Sequence, residues 1–592
     1  MMTIEYTVYC DDPAAHEFRV DMDVPLAGEE SLLLRLPVWI PGSYLIREFA
    51  RHVLELTAEA VLSDGTRRPL AVTKIDKCSW RLLPPRGARA VRCRYRVWAF
   101  DASVREAWLD TNRGFFNGTS LFLRVEGRSR EEHRIRLVPP SDSRCAGWRV
   151  ATALERVEGT APWSFGDYRA PDYDNLIDAP VAMGPLEFVE FTAGGVPHTL
   201  AFTGQIEPVD RQRLAADLTA ICSTTQALFG DIPFRRYLFL LTLTDEGYGG
   251  LEHGESSALL AARRDLPWPG MGAPSDEYVR LLGLFSHEYF HAWVVKRLKP
   301  AAFTPYDLFG ENYTRLLWLF EGWTSYYDDL LLVRAGVIDA DRYLALVAKT
   351  ATQVLTTPGR LRQSLADASF DAWIKFYRPN ENSANTNVSY YAKGALLALA
   401  LDLQLRERGA SLDALLRLLW ERHGRSGKGL EENTPFAVLR EMAGARLARW
   451  LEKMVQGTED PPLAALLRRF GVQWREVRAA LPDAGLRFER DSMRVATVRR
   501  RGAAECAGIA PRDELIAVDG FKASSAQWES VLRRRGAGAR IAVHAFREGR
   551  LFQTSLELAP PALERVELRR MPRATAQQRE RLHSWLHPAA QQ

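Results

Sequence analysis

His287, Glu288 and His291 stand in the pattern H-E-x-x-H. On a helix the i, i+4 spacing puts both imidazoles on one face, a single turn apart, so two bonds to one metal ion can form. Glu288 points about 100° round the axis, far enough to miss the metal and close enough to reach a water on it, as a general base must. A catalytic zinc needs a third protein ligand and an open position, and two downstream glutamates compete for the role. Glu311 follows His291 by 20 residues, in the polar helix start GENYT, where a first-turn carboxylate is ordinarily solvated. Glu321 is embedded in LLWLFEGWTSYY, and a carboxylate in so apolar a segment persists only when paired or bound to metal. Glu321 is therefore selected, giving one zinc per chain held by His287, His291 and Glu321. Asp328, two turns on along the same face, is placed to accept the free N–H of a ligating histidine, with a surface acid as the competing reading.

A buried helix must carry the two histidines. Ser275 caps it, Asp276 and Glu277 fill its first turn, Lys296, Arg297 and Lys299 crowd its end, and Pro300 stops it. Apolar residues on every side of LLGLFSHEYFHAWVV place this helix in a core. A second helix is expected from about Tyr313 to Arg334 and a third from Ser389 to Arg408, with helical pattern continuing to about residue 470. Before them the chain alternates with period two. Phe18, Val20, Met22 and Val24 are separated by Arg19, Asp21 and Asp23, and Val91, Cys93, Tyr95 and Val97 by Arg92, Arg94 and Arg96, the pattern of half-buried strands. Short strands return from about residue 484. The fold class is therefore multidomain α+β: an N-terminal β-sandwich over 1–170, a catalytic domain with a helical subdomain over 171–475, a small β domain over 476–562, and a charged, helix-leaning tail over 563–592 without an assigned role.

Composition removes several classes of function. The 592 residues are 46% hydrophobic and hold 60 aromatic side chains, so large cores are expected rather than disorder. A net charge of +4, from 78 basic and 74 acidic residues, gives little field for nucleic acid or anionic lipid. No apolar run approaches the ~20 residues needed to span a bilayer, and the N-terminus has no signal-like h-region. Six scattered cysteines without CxxC pairs exclude a cysteine-built metal site and fit a reducing compartment. The expectation is a cytoplasmic protein without nucleic-acid or membrane partners.

HEYFHAWVVKR followed by LWLFEGWTSYYDD resembles the zinc signature of the aminopeptidase N family, in which the glutamate of the tryptophan-and-glycine context is the third ligand. The 20-residue gap to Glu311 would instead match thermolysin-like proteases. Gly249-Gly250-Leu251-Glu252-His253 is similar to the Gly-Ala-Met-Glu-Asn exopeptidase motif, departing from it at Gly250 and His253, and Tyr391-Ala392-Lys393-Gly394 is similar to the catalytic tyrosine segment. With LPVWIPGSYLIREFARHV near the N-terminus and RGAAECAGIAPRDELIAVDG near the C-terminus, the chain resembles the glycyl aminopeptidase family over nearly its whole length. That resemblance implies a zinc metallopeptidase with an N-terminal β domain, a thermolysin-like catalytic domain and a PDZ-like domain.

The resemblance also implies roles. Glu288 takes the proton of a zinc-activated water, and Tyr391 donates its phenol proton to the developing oxyanion. Glu252 holds the substrate's α-ammonium, while Gly249 and Gly250 let the substrate backbone approach as an added strand. His253 and Glu255 are candidates for the same wall. Gly485 to Phe488 would be a carboxylate-binding loop for a peptide C-terminus. The implied partners are peptides with free N-termini, and glycine or alanine preference rests on the resemblance alone. Two alternatives stay open: a zinc endopeptidase on the same site, and a PDZ-linked peptide-binding scaffold with a structural zinc. Every candidate catalytic residue precedes position 400, so the small C-terminal domain is expected to be dispensable for small substrates.

Overall fold

The computed structural model describes residues 3–205 and 207–587. Residues 588–592 of the expected tail lie outside them. The chain forms two compact units, one of residues 1–312 with 335–337 and 420–430, the other of 313–334, 338–419 and 431–592.

In the first unit the period-two segments become an eight-stranded sheet in which Glu17–Pro25 pairs antiparallel with Ala88–Trp98. Phe18, Val20, Met22 and Val24 face inward and are fully buried, as are Val91, Cys93 and Tyr95. The intervening charges meet across the strands: Arg92 lies 2.6 Å from Asp23 and Arg94 2.9 Å from Asp21, directly opposite in the register. Burial on one face and charge pairing on the other both oppose a one-residue slip. Two four-stranded sheets complete this N-terminal β-sheet domain, and one of them includes Val181–Gly184, beyond the expected boundary.

A five-stranded sheet follows, in spatial order Glu187–Ala193, Val196–Thr203, Tyr237–Thr244, Ser256–Ala262, Tyr248–Glu252. The last of these is the edge strand, antiparallel to Ser256–Ala262. The histidine helix, Asp276–Phe290, starts where expected, with the Ser275 hydroxyl accepting from the Tyr278 N–H. It ends earlier than its basic residues suggested. Lys296 is drawn to Asp178, and the Arg297 guanidinium donates to the carbonyls of Gly254, Ala292 and Pro233. Cations read as helix-end charges are thus spent on tertiary partners, and the chain turns through Val295 at φ 76°.

In the second unit, the helix expected from Tyr313 is two helices, Leu317–Phe320 and Gly322–Arg334, with Glu321 between them. Gly322 packs on Gly394 of the helix Tyr390–Arg406 so closely that a Cβ on Gly322 would lie 2.7 Å from the Gly394 Cα. The tail is also structured. Leu563–Arg570 pairs antiparallel with Val472–Arg478, and the helix Ala576–Leu586 buries Trp585, whose indole N–H donates to the Tyr326 hydroxyl at 2.9 Å. Between those paired strands lies the C-terminal β module, a four-stranded sheet with the helix Ser525–Arg535 and its own core of Val495, Leu515, Val518, Ile541 and Leu556.

Candidate active site

In the first unit, His287 sits in the last turn of its helix and His291 caps it. The two Nε2 atoms are 3.1 Å apart. Two nitrogens bound to one tetrahedral zinc at about 2.0–2.1 Å stand roughly 3.3 Å apart, so the pair already has the spacing of a shared ion. His291 Nδ1 lies 3.1 Å from the Val294 carbonyl, which makes Nδ1 the N–H donor and leaves the Nε2 lone pair for a metal. The backbone carbonyl of Val294 is thus an orienting partner of this ring. Paired neutral imidazoles suit zinc.

Glu252, at the end of the edge strand, Glu288 and His291 are all buried, and one ligand atom of each lies within 4.8 Å of the others. The sequence thus brings two carboxylates together at the imidazole pair from elements 36 residues apart. Gly250 explains part of this closeness, because a Cβ there would overlap the Glu288 carboxylate. Its missing side chain accommodates the chain's own glutamate, a purpose the motif did not reveal. Beside Gly249, a Cβ would meet the Arg105 guanidinium at 3.7 Å, and Arg105 donates to the Gly250 carbonyl at 3.3 Å. The N-terminal β domain therefore reaches the edge strand.

His253 turns to an ion cluster. Its Nδ1 lies 3.1 Å from Asp178, which also takes the Gly254 N–H at 2.8 Å and the Lys296 ammonium at 2.6 Å. Burial alone would raise the Asp178 carboxyl, but Lys296 and then His253 override it and hold the pKa well below the carboxylate range. Burial depresses the Lys296 ammonium, and Asp178, with smaller help from Tyr306 and Glu252, more than restores it. Glu255 is exposed. Asp178, Lys296 and Arg105 were not singled out from the sequence as site residues, since they share no local motif with the site and each reads as an ordinary charge.

In the second unit, Glu321 is 2% exposed, at the junction of its two helices. Tyr390 shows its proximity: burial raises that phenol's pKa, and the charges of Tyr377 and Glu321 raise it further. Tyr391 is half-buried, ring-stacked on Tyr390, with its hydroxyl 3.3 Å from that of Tyr377. Tyr377 carried no motif and was missed. Asp328 is half-buried on the helix Gly322–Arg334 and its carboxylate accepts the Asp329 N–H at 2.6 Å. Glu311, in the first unit, is exposed.

The Peptidase M61 N-terminal domain pattern matches residues 5–185, and the M61 glycyl aminopeptidase pattern matches 280–397. An aminopeptidase N family protein from Idiomarina loihiensis is 37% identical over 99% of this chain and 100% of its own, with a TM-score of 0.92. An M1 zinc metallopeptidase from Deinococcus radiodurans is 16% identical over 78% of this chain and 94% of its own, with a TM-score of 0.47. Yeast LTA4 hydrolase is 15% identical over 79% of this chain and 70% of its own, also at 0.47. No curated protein matches.

Proposed function

Because this chain belongs to the M61 glycyl aminopeptidase family, and is by that membership a hydrolase of the metallo-aminopeptidase type, we propose that it releases single small residues, glycine or alanine, from peptides with free N-termini, using one zinc ion. The observation that carries this reading is the approach of Glu252, Glu288 and His291 to within 4.8 Å. In a peptide the α-nitrogen lies only about 2.5 Å from the first carbonyl carbon, as standard bond lengths and angles require. An anchor for an α-ammonium must therefore stand beside the base and the metal ligands, as Glu252 does.

His287, His291 and Glu321 would hold the zinc. The support for Glu321 is its burial in an apolar segment, where a carboxylate needs a strong partner. When bound, the ion supplies Lewis acidity and an acidified water of pKa near about 7. Glu252 grips the α-ammonium by charge-assisted hydrogen bonds and so fixes which carbonyl is presented. Glu288 accepts the proton of the attacking water as its oxygen bonds to that carbonyl carbon, then returns it to the amide nitrogen as the C–N bond breaks. Tyr391 donates a hydrogen bond to the carbonyl oxygen as negative charge develops there. The Val294 carbonyl orients His291, and Asp328 is kept as a candidate acceptor for the free N–H of a ligating histidine.

The C-terminal β module is read as PDZ-like, with a peptide C-terminus as its ligand. Such a ligand would compete with Asp483, whose carboxylate already accepts the Gly485 N–H at 2.8 Å.

The test is a long peptide and its N-acetylated form, incubated with the zinc-loaded protein and followed by mass spectrometry. Stepwise loss of single N-terminal residues from the free peptide alone supports the reading. Internal fragments, or equal cleavage of the acetylated peptide, would assign an endopeptidase instead.

A further inference from the structure

The N-terminal β domain places a turn against the Glu252 carboxylate. Ile40-Pro41-Gly42-Ser43 has proline second and glycine third, the glycine at φ 99°, and the Ser43 N–H donates to the Ile40 carbonyl at 3.0 Å. These are the marks of a type II turn, in which proline presets one dihedral and glycine accepts the left-handed one. The turn is held on both sides. The Trp39 indole N–H donates to the Asp307 carbonyl at 2.7 Å and the Val38 N–H to the Leu308 carbonyl at 2.9 Å, while Arg47 donates to the Ser43 hydroxyl at 2.7 Å. Trp39, Ile40 and Tyr44 are buried.

A Cβ added at Gly42 would stand 2.5 Å from Glu252 Oε2 and 2.6 Å from Oε1. Both carboxylate oxygens therefore lie against the bare α-carbon of a rigid turn. We propose that Gly42 is a positioning residue for Glu252: the turn is the back wall that sets where the carboxylate, and hence the substrate's α-ammonium, comes to rest. The proposal rests on the anchor role given to Glu252 above. It makes the N-terminal domain part of the selection for unblocked N-termini.

The chemistry of the contact determines what a substitution does. Of the two groups that would collide, the turn is pinned by three hydrogen bonds and the glutamate is the far end of a flexible side chain, so the glutamate yields. Gly42→Ala should therefore displace the anchor while leaving the core and the metal ligands in place. A shift of ~1 Å in a positioned group can cost ~100-fold in rate.

The experiment uses the full-length zinc-loaded chain. Gly42→Ala is expected to keep its metal content and to lose at least about tenfold in kcat/KM on glycyl and alanyl p-nitroanilides, with KM raised and kcat lowered together. Gly28 has a similar backbone, φ 107°, with nothing within 4 Å of a Cβ. Gly28→Ala thus carries a comparable positive-φ penalty without the contact, and should stay within about twofold of the parent, as surface changes do. In a Glu252→Ala background, Gly42→Ala should cost nothing more, because the group it displaces is gone. Loss in Gly42→Ala that is additive to Glu252→Ala, or matched by Gly28→Ala, overturns the proposal. If Glu252→Ala is impaired and Gly42→Ala is not, this proposal alone fails. If Glu252→Ala itself is unimpaired, the anchor reading fails and takes this one with it.

Discussion

At the scale of single residues, the choice between two glutamates is open to direct test. Glu321 is buried and Glu311 exposed, so Glu321→Ala should lose its zinc on dialysis while Glu311→Ala retains it, read by metal analysis. The reverse result would move the third ligand to the shorter spacing. Glu288→Gln keeps the shape of the side chain and its fit beside Gly250, so it should fold and hold zinc yet lose ~100 to 10,000-fold in turnover, the usual worth of a general base. Tyr391→Phe should lower kcat with little change in KM, since a donor aimed at the oxyanion acts mainly in the transition state. The hydroxyl of Tyr377, 3.3 Å from that of Tyr391, gives Tyr377→Phe a smaller effect in the same direction. An unchanged kcat in Tyr391→Phe would remove that residue from the mechanism.

At the scale of elements, the helices Leu317–Phe320 and Gly322–Arg334 meet at Glu321, beside a close backbone contact with another helix. LLWLFEGWTSYY has no proline and only one glycine, and its apolar period runs straight through, so a single helix is the natural reading. The division at Glu321 instead coincides with the backbone contact between Gly322 and Gly394, which come from segments about 70 residues apart. The atoms nearest a Cβ on Gly322 are backbone atoms of the helix Tyr390–Arg406, the Gly394 Cα and the Tyr390 carbonyl oxygen, and neither can yield. Gly322→Ala is expected to cost about 1–3 kcal/mol by overpacking and to weaken zinc retention, because the shifted residue adjoins Glu321. A melting temperature and metal content equal to the parent's would show the contact to be slack. What was legible in the sequence follows the same division. The paired histidines, Ser275 as a cap and the alternating strands are local patterns, and the structure has them in place. The end of the histidine helix, the setting of His253 and the wall at Gly42 depend on Asp178, Lys296 and Glu252 arriving from elsewhere, and no local period announces that.

At the scale of the whole chain, the C-terminal β module is an insertion between two paired strands. The Ala479 N–H donates to the Ala562 carbonyl at 2.9 Å where the module leaves and rejoins, and beyond that point Leu563–Arg570 and the Trp585 helix return to the helical unit. A truncation near residue 475 would cut the strand Val472–Arg478, remove its partner and strip the buried Trp585, so it should unfold that unit. Excising 480–561 and bridging the ends with a few glycines removes the module alone. One link is lost with it. Asn385, buried and six residues before Tyr391, donates to the Val498 carbonyl at 2.8 Å and accepts the Arg500 N–H at 2.9 Å, while Arg512 pairs with Glu381, four residues earlier. Each such hydrogen bond is worth ~0.5–1.5 kcal/mol, and together they brace the approach to the helix that carries Tyr391. The excised protein should therefore fold and hold zinc, but turn over p-nitroanilides more slowly, by up to about tenfold, through kcat rather than KM. Asn385→Ala in the full chain should reproduce most of that loss, because it breaks the same brace and leaves the module attached. Full activity in the excised protein would restore the simpler expectation that the module is dispensable, and a loss that Asn385→Ala fails to reproduce would place the coupling in another contact.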